Sequence, residues 1–279
     1  MDQVNTQAWV GRAVSDQGGV DPSMAAKIHA TIGRAGTPTP RLGDPLPPLW
    51  HWSAFPPVAH MDRLGADGHP GAGDLMPPLR LPRRMWGGGE LRFFAPLRIG
   101  DPMERHTSIR AIEEKQTSAG AMALVTLDHT ITGPCGVAIQ ERQDIVYLPM
   151  PETFSPPKKR EMPAGASEAV ETSPALLFRY SAVTFNAHRI HYDLDYARHT
   201  EKYPGLVVHG PLQATMMMRH AVAKKGRTPE FFDFRAVHPL FAGTALDICT
   251  TEDDGVMSIL CGQDGHQGMR ATAIWEETQ

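Results

Sequence analysis

The chain has 279 residues, of which 41% are hydrophobic and 21% are charged, values typical of a globular protein with a sizeable core. A formal net charge of −4 excludes a strongly basic surface, so we expect no nucleic-acid partner. The three cysteines lack the number and spacing of a disulfide framework or of a cysteine-based metal site.

The hydropathy pattern bears on the location of the protein. The sequence begins Met-Asp-Gln-Val-Asn, without the positive charge and apolar run of a secretory signal. It contains no run of about eighteen apolar residues, the length that a membrane-spanning helix requires. We therefore expect a cytoplasmic protein with no membrane partner.

The first half of the chain is predicted to begin irregularly and to end in strands. Residues 1–35 have a partly helical pattern, and residues 36–82 are rich in proline and glycine, which predicts an irregular segment over the surface. Segments rich in apolar residues follow at 90–94, 108–112 and 121–131. Their short lengths and the turn residues between them predict a strand meander.

The second half is predicted to form a unit of its own. Residues 151–166 have the proline-rich, basic composition of a linker, so we predict one unit over residues 1–150 and another over residues 167–279. The second unit is predicted to start with a short strand over residues 176–181. A segment with several histidines, a helix and a second strand meander are expected to follow.

The helix of the second unit is predicted to begin at Gly210. Pro211 suits the first turn of a helix and Gly226 suits its end, as is typical of helix boundaries. Apolar residues cover almost every side of this segment. A helix of this kind is usually buried.

A short motif is repeated in the two halves. Pro96–Gly100 and Pro239–Gly243 share the pattern Pro-Leu-x-x-Gly, and each precedes a strand-rich run. The repeat indicates a duplicated unit. We therefore predict an α+β fold in which an antiparallel sheet wraps around a central helix in each half. The first of these helices is expected to be degenerate, because the first half contains no clearly apolar helical segment.

The residues most suggestive of chemistry lie just before the predicted helix. The segment 185–193 reads Phe-Asn-Ala-His-Arg-Ile-His-Tyr-Asp, and 203–212 reads Tyr-Pro-Gly-Leu-Val-Val-His-Gly-Pro-Leu. Histidine can transfer protons near neutral pH, and the start of a helix offers free backbone N–H groups. This combination suits chemistry next to a carbonyl group.

These segments resemble the MaoC-like, R-specific enoyl-CoA hydratases. That family carries an Asp-x-Asn-Pro-x-His loop, followed by a helix that begins with His-Gly. The last histidine of the loop corresponds to His191, and the helix start corresponds to His209-Gly210. The Asp, Asn and Pro of the loop correspond here to Asn186, His188 and Arg189. Asn186 is a departure from the family, because an amide cannot accept a proton as a carboxylate does.

The sequence is more similar to one branch of this family. The branch includes mitochondrial 3-hydroxyacyl-thioester dehydratases, mesaconyl-C4-CoA hydratases and itaconyl-CoA hydratases, and it also resembles this chain over residues 81–89. The resemblance covers residues 75–279. It implies a double-hotdog fold, a hydro-lyase activity on acyl-CoA, no cofactor besides the coenzyme A of the substrate, and a homodimer.

The resemblance also implies roles for individual residues. His191 is expected to act as the base toward water, and the backbone N–H of Gly210 is expected to stabilise the negative charge on the thioester oxygen. Asn186 could hold the water through its amide oxygen. His188 is either a member of the site or a support for it, and His209 is expected among the substrate-binding residues.

Arginine residues near the motif are candidates for binding a second carboxylate of the substrate. A guanidinium pairs with a carboxylate in a bidentate fashion, so Arg83, Arg84 and Arg189 are candidates, with solvated surface charges as the alternative. Trp86 either lines the acyl pocket or packs under the sheet. Asp193 is expected to cap a helix that begins near Leu194.

The expected reaction is the reversible hydration of a short enoyl-CoA, with itaconyl-CoA or mesaconyl-C4-CoA preferred. The alternatives are a dehydratase of fatty-acid synthesis, a hotdog thioesterase and a non-catalytic acyl-CoA-binding module. The spacing His188-x-x-His191 also suggests a metal site. We expect no metal, because no third ligand is identified.

Overall fold

A computed structural model describes residues 5–71, 73, 75–117, 120–166 and 168–276. Within these residues lie ten strands: β1 (Ala13–Gly18), β2 (Arg83–Phe93), β3 (Met103–Thr117), β4 (Gly120–Gly133), β5 (Gly136–Leu148), β6 (Glu168–Val170), β7 (Phe231–Ala236), β8 (Leu246–Asp253), β9 (Val256–Gln263) and β10 (His266–Ile274). The same residues include four α-helices: α1 (Pro22–Ile32), α2 (Pro174–Thr184), α3 (Leu194–His199) and α4 (Gly210–Lys225). None of the described helices is both long and apolar enough to cross a membrane.

All ten strands belong to one antiparallel sheet, which has the order β1-β3-β4-β5-β2-β7-β10-β9-β8-β6. Five strands of each half lie side by side, and the halves meet where β2 pairs with β7 over Gly88–Arg92 and Phe231–Arg235. The predicted α+β class is confirmed, with the sheets of the two halves continuous at this junction. The division of the chain at residues 151–166 stays a prediction.

The repeated Pro-Leu-x-x-Gly motif occupies equivalent positions in the two halves. It lies between β2 and β3 in the first half and between β7 and β8 in the second. Gly100 and Gly243 both adopt positive φ values, 93° and 98°, which a side chain would disfavour. Their N–H groups donate to the carbonyls of Val20 and Thr172, each at 2.8 Å. These matched contacts confirm the internal repeat.

The two halves differ in their central helix. Leu46 donates to Leu97 and Val208 donates to Leu240, both at 2.8 Å, so these two chain positions are equivalent. The helix α4 starts two residues after Val208, whereas two prolines follow Leu46 and lead only to a 3₁₀ turn at Trp50–Ser53. Among the described residues of the first half, no long helix takes the place of α4, in agreement with the prediction of a degenerate helix.

The helix α4 is the core of the second half. It packs on β2, β9 and β10, and its buried residues face several directions. It ends at Gly226, whose φ of 73° allows its N–H to donate to the carbonyl of Val222. The predicted start at Gly210, end and burial of this helix are therefore confirmed.

Two predictions of local structure need correction. Residues 176–181 are part of α2 and not a strand, because Ser173 caps the helix by accepting from Leu176 N–H and Pro174 occupies its first turn. The proline-rich segment 36–82 does not only cover the surface, since Leu49 and Trp50 are buried in the main core.

Candidate active site

The motif loop between α2 and α3 is shaped by its own hydrogen bonds. Phe185 ends α2 in the left-handed conformation, and Asn186 N–H donates to the carbonyl of Ser181 at 2.8 Å. The amide oxygen of Asn186 accepts the backbone N–H of His188 at 3.0 Å. At the other end, Asp193 accepts Tyr196 N–H at 2.9 Å, which confirms the predicted cap of α3. The loop is thus held in one conformation between two helices.

His191 is buried and oriented for use of its Nε2 atom. Its Nδ1 lies 2.7 Å from the carbonyl oxygen of Val207, and a carbonyl can only accept. The proton of the neutral ring is therefore on Nδ1. Nε2 has no hydrogen-bond partner among the residues described, so its lone pair can accept a proton.

Burial and neighbouring imidazoles keep His191 neutral. Desolvation lowers its pKa well below 6.5, and the nearby rings of His209 and His188 lower it further. The ring of His191 is stacked on that of His209, with centroids 3.5 Å apart. A 2.8 Å hydrogen bond joins His209 Nε2 to the hydroxyl of Ser181, and burial lowers the pKa of His209 to about 3. At neutral pH both rings are uncharged.

Gly210 follows His209 directly and is the first residue of α4. No backbone acceptor within the described part of the chain is paired with its N–H, as is normal in the first turn of a helix. A Cβ atom at this position would lie 3.6 Å from the carbonyl oxygen of Trp86 on β2. The start of α4 therefore presents a backbone donor, with partial positive charge, close to β2.

The side chain of His188 is part of a buried hydrogen-bond network. Its Nε2–H donates to Glu201 Oε1 at 3.0 Å, and the Glu201 side chain is only 1% exposed. Arg83 donates to the other oxygen of Glu201 at 3.3 Å and also to the hydroxyl of Tyr203. The side chains of His188 and Arg83 are therefore both committed to protein partners. Glu201, which fixes them, was missed in the sequence because it lies outside the motif.

Arg189 and Arg84 have different environments. The guanidinium of Arg189 donates to Asp193 at 2.7 Å and to the carbonyl of Ala66 at 3.0 Å, so it ties the motif loop to the first half. No described residue forms an ion pair or hydrogen bond with the side chain of the half-buried Arg84, whose backbone pairs with Tyr147 of β5. The charge of Arg84 nevertheless lowers the pKa of His69. Arg84 is thus the available cation of the three predicted arginines.

The side chain of Trp86 packs between the two halves of the protein. Its ring lies 5.0 Å from that of Trp52 and 6.0 Å from that of Phe234, and its Nε1–H donates to the carbonyl of Gly88. The packing interpretation of Trp86 is therefore supported by its contacts. The backbone carbonyl of Trp86 lies beside Gly210, at the start of α4.

A segment of the first half completes the imidazole cluster. The ring of His69 lies 4.2 Å from that of His188, and its Nδ1 lies 2.9 Å from Asp67 Oδ2. Desolvation is the main cause that lowers the pKa of His69 to about 4. Sequence reasoning missed Asp67 and His69, which lie in an Asp-Gly-His-Pro turn of the proline-rich segment, where no periodic pattern draws attention to them.

The side chains of Asp67, His69 and His188 bring three potential ligand atoms within 4.8 Å of one another. Asp67 Oδ2 is, however, bonded to His69 Nδ1, and His188 Nε2 is bonded to Glu201, so two of the three side chains already have protein partners at these atoms. A cation would also meet the positive charge of Arg84. We therefore do not assign these residues as metal ligands, and the expectation of no metal stays a prediction.

The geometry brings a neutral imidazole next to a helix start with a free N–H. Such a pair can remove a proton from water while it stabilises negative charge on an oxygen. The buried surroundings strengthen both effects, because they exclude competing water. The site is therefore suited to proton transfer next to a thioester carbonyl.

Comparison with known sequences agrees with this chemistry. A profile of the family hydroxyacyl-thioester dehydratase type 2 matches residues 49–242. The chain is 43% identical to mesaconyl-C(4)-CoA hydratase of Chloroflexus aurantiacus over 245 residues, 86% of this chain and 87% of the relative. It is 29% identical to the mitochondrial hydroxyacyl-thioester dehydratase type 2 of Schizosaccharomyces pombe, over 74% of this chain and 78% of the relative.

Comparison with solved structures agrees with the fold. A MaoC-like dehydratase from Phytophthora capsici matches with a TM-score of 0.73 at 13% identity, over 98% of each chain. A Mycobacterium tuberculosis protein described as a double hotdog matches with a TM-score of 0.55 at 13% identity, over 95% of this chain and 96% of that one. The predicted double-hotdog fold is thus confirmed. The chain belongs to the hydroxyacyl-thioester dehydratase type 2 family and is a hydratase or dehydratase of acyl thioesters.

Proposed function

We propose that the enzyme adds water reversibly to the double bond of a short dicarboxylic enoyl-CoA, with mesaconyl-C4-CoA as the preferred substrate and itaconyl-CoA as the next. In mesaconyl-C4-CoA the carbon that receives the hydroxyl group also carries the free carboxylate. A cation for this carboxylate must therefore lie beside the reacting carbons and not at the end of a long acyl tunnel.

We propose that His191 transfers the proton of the attacking water. As the water oxygen bonds to Cβ of mesaconyl-C4-CoA, an α,β-unsaturated thioester, one O–H proton moves to Nε2 of His191 and the π electrons move onto the thioester oxygen. The N–H of Gly210 donates to that oxygen, an interaction whose loss commonly costs about 3 kcal/mol. The protonated His191 then returns the proton to Cα as the thioester carbonyl re-forms, so one molecule of water is added in total.

The observation that carries the dicarboxylate proposal is the half-buried Arg84 without a protein partner. Arg83 and Arg189 already have partners, as the pairs with Glu201 and Asp193 demonstrate. Arg84 acts electrostatically on His69, which touches the His188 ring of the motif. A substrate carboxylate would supply Arg84 with the partner that the protein does not. The 43% identity to a mesaconyl-C(4)-CoA hydratase supports the same choice.

The test compares the hydration of mesaconyl-C4-CoA, itaconyl-CoA and crotonyl-CoA by the wild type and by Arg84→Met. A charge-assisted hydrogen bond contributes about 1.5–3 kcal/mol, so kcat/KM for the dicarboxylic substrates should fall about 10²-fold. Activity on crotonyl-CoA, which has no second carboxylate, should change little. Arg84→Lys serves as the matched control, because it keeps the charge but loses the bidentate geometry. Turnover of crotonyl-CoA alone by the wild type would refute the dicarboxylate preference.

The second candidate is dehydration of a 3-hydroxyacyl thioester in fatty-acid synthesis, which the similarity to the Schizosaccharomyces pombe dehydratase favours. This reaction uses the same proton transfers in reverse. Preference for long unbranched 3-hydroxyacyl thioesters, with no effect of Arg84→Met, would favour it. Release of free coenzyme A thiol would instead indicate a thioesterase.

A further inference from the structure

Four imidazoles lie close together at the site, and one of them comes from the first half of the chain. We propose that His69, oriented by Asp67, is the second acceptor that holds the attacking water opposite His191. The proposal rests on the hydration reaction proposed above and names a further residue for it. It gives the first half, which has no central helix, a direct part in the reaction.

The attacking water needs two acceptors, because one fixes the proton that is transferred and the other fixes the orientation of the oxygen lone pair. The amide oxygen of Asn186 already accepts the backbone N–H of His188, which holds it in the loop and leaves one of its two lone pairs. His188 and His209 are bonded through Nε2 to Glu201 and Ser181, and Nδ1 of His209 has no partner but is buried. His69 differs from them because its side chain is partly exposed and one of its ring nitrogens is free to accept.

The hydrogen bonds of His69 determine which of its two ring nitrogens can accept a hydrogen bond from the water. Asp67 Oδ2 lies 2.9 Å from Nδ1, and Asp67 Oδ1 accepts the backbone N–H of His69 at 3.1 Å. A carboxylate can only accept, so Nδ1 carries the proton and Nε2 carries the lone pair. None of the described residues pairs with that Nε2. The His69 side chain is 21% exposed, whereas His188, His191 and His209 are buried, so a small molecule can reach it.

The position of His69 is built into the fold. The carbonyl of Asp67 accepts the backbone N–H of Arg189 at 2.8 Å, and the carbonyl of Ala66 accepts its guanidinium at 3.0 Å. Gly68 lies so close to the carbonyl of Ala187 that a Cβ atom would be 1.9 Å from that oxygen. The turn therefore has a fixed register against the motif loop.

The proposed reaction requires His69 to accept a hydrogen bond from the attacking water without taking the proton of that bond. One O–H proton of the water passes to His191 as the C–O bond forms, and the other O–H donates to Nε2 of His69 and stays on the new hydroxyl group. The charged or titratable groups that act on His69 are Asp67 in its own turn, His188 and His191 in the motif loop and Arg84 on β2. Burial lowers its pKa to about 4, with a further lowering by His188 and Arg84 that outweighs the raising effect of Asp67, so the ring is neutral at pH 7.

The test compares His69→Phe with His69→Gln, using steady-state hydration of the substrate that the wild type prefers. Phenylalanine keeps a ring against His188 but has no acceptor, whereas the glutamine amide can place an oxygen near the former Nε2. We expect kcat to fall about 10²-fold in His69→Phe with KM little changed, because a misplaced nucleophile commonly costs this much. His69→Gln should retain clearly more activity than His69→Phe. Thermal unfolding of both variants monitors the fold.

A second variant tests the orientation of the ring. In Asp67→Asn the amide N–H₂ can donate to Nδ1, which moves the ring proton to Nε2 and removes the acceptor. We expect kcat to fall while the backbone contact to Arg189 is kept. Wild-type activity in His69→Phe, or equal losses in His69→Phe and His69→Gln, would overturn the proposal and assign His69 a packing role.

His191→Ala separates this proposal from the proposed function. If His191→Ala loses activity and the His69 variants do not, the hydratase stands and the role of His69 is refuted. If the wild type hydrates none of the enoyl-CoA substrates, the proposed function fails and the role of His69 fails with it.

Discussion

Replacing Gly68 by alanine should disable the enzyme through one backbone contact. Gly68 has a φ of 88°, and a Cβ atom there would lie 1.9 Å from the carbonyl oxygen of Ala187. Real Cβ atoms essentially never approach closer than 3.0 Å, so the two backbones must separate by about 1.1 Å (3.0 minus 1.9 Å). Ala187 lies between Asn186 and His188, and the displacement therefore acts directly on the motif loop.

Gly68→Ala should have two effects, one on stability through the backbone conformation and one on the rate through displacement of the motif loop. A control variant separates the two effects. A positive φ costs a side-chain-bearing residue about 1–2 kcal/mol, wherever in the chain it occurs. Gly36 has a nearly identical φ of 80° with nothing within 4 Å of its Cβ position, so Gly36→Ala has only this cost. Gly68→Ala adds a displacement of about 1 Å at the site, which commonly costs about 10²-fold in rate.

The assay measures kcat/KM for hydration, together with the thermal midpoint of unfolding. Both variants should lower the midpoint by several degrees, at about 2–4 °C per kcal/mol for a chain of 150–250 residues and somewhat less for this longer one. Only Gly68→Ala should lose activity about 10²-fold. Equal activity of the two variants would show that the turn and the motif loop are not coupled, and the reasoning about their contact would be refuted.

Three further predictions concern the buried polar groups of the site. Glu201→Gln should lower the free energy of unfolding in urea by about 3 kcal/mol, because it removes the buried carboxylate that pairs with Arg83, whereas Asp195→Asn removes an exposed carboxylate and should change it little. Asn186→Asp should keep activity, since its carboxylate can still accept the backbone N–H of His188, whereas Asn186→Ala should lower kcat. The pKa values of His191 and His209 are lower in the folded protein than the ordinary 6.5, so the unfolded state binds more protons below pH 6.5. The free energy of unfolding should therefore fall as the pH falls below 6.5 in denaturant titrations, and a constant value between pH 7 and pH 5 would contradict this.

The parts of the fold that local sequence patterns specify could be predicted. The cap at Asp193 and the boundaries of α4 depend on residues within a turn of each other, and the repeat at Gly100 and Gly243 depends on a required backbone conformation. The helix α2 could not be predicted from the apolar content of its residues alone. Its start depends on Ser173 and Pro174, and a reading of residues 176–181 by themselves leaves both signals out.

The site could be predicted only where its residues are close in the sequence. Arg83 and Arg84 are neighbours at the start of β2 and are the same residue type, so the sequence itself does not distinguish them. Which of the two is available depends on Glu201, which is 118 residues from Arg83. In the same way, the role of His69 depends on a contact across 119 positions to His188. No local pattern carries such information.

The pairing of β2 with β7 also sets an order in which the protein can fold. Strands β1 to β5 pair with one another within the first half, so they can form while the second half is still unstructured. Residues paired between β2 and β7, such as Arg92 and Phe231, are far apart in the chain, and contacts of this kind form slowly. Because the turn of His69 and the loop of His191 come from different halves, a refolding chain should recover its strand signal before it recovers activity.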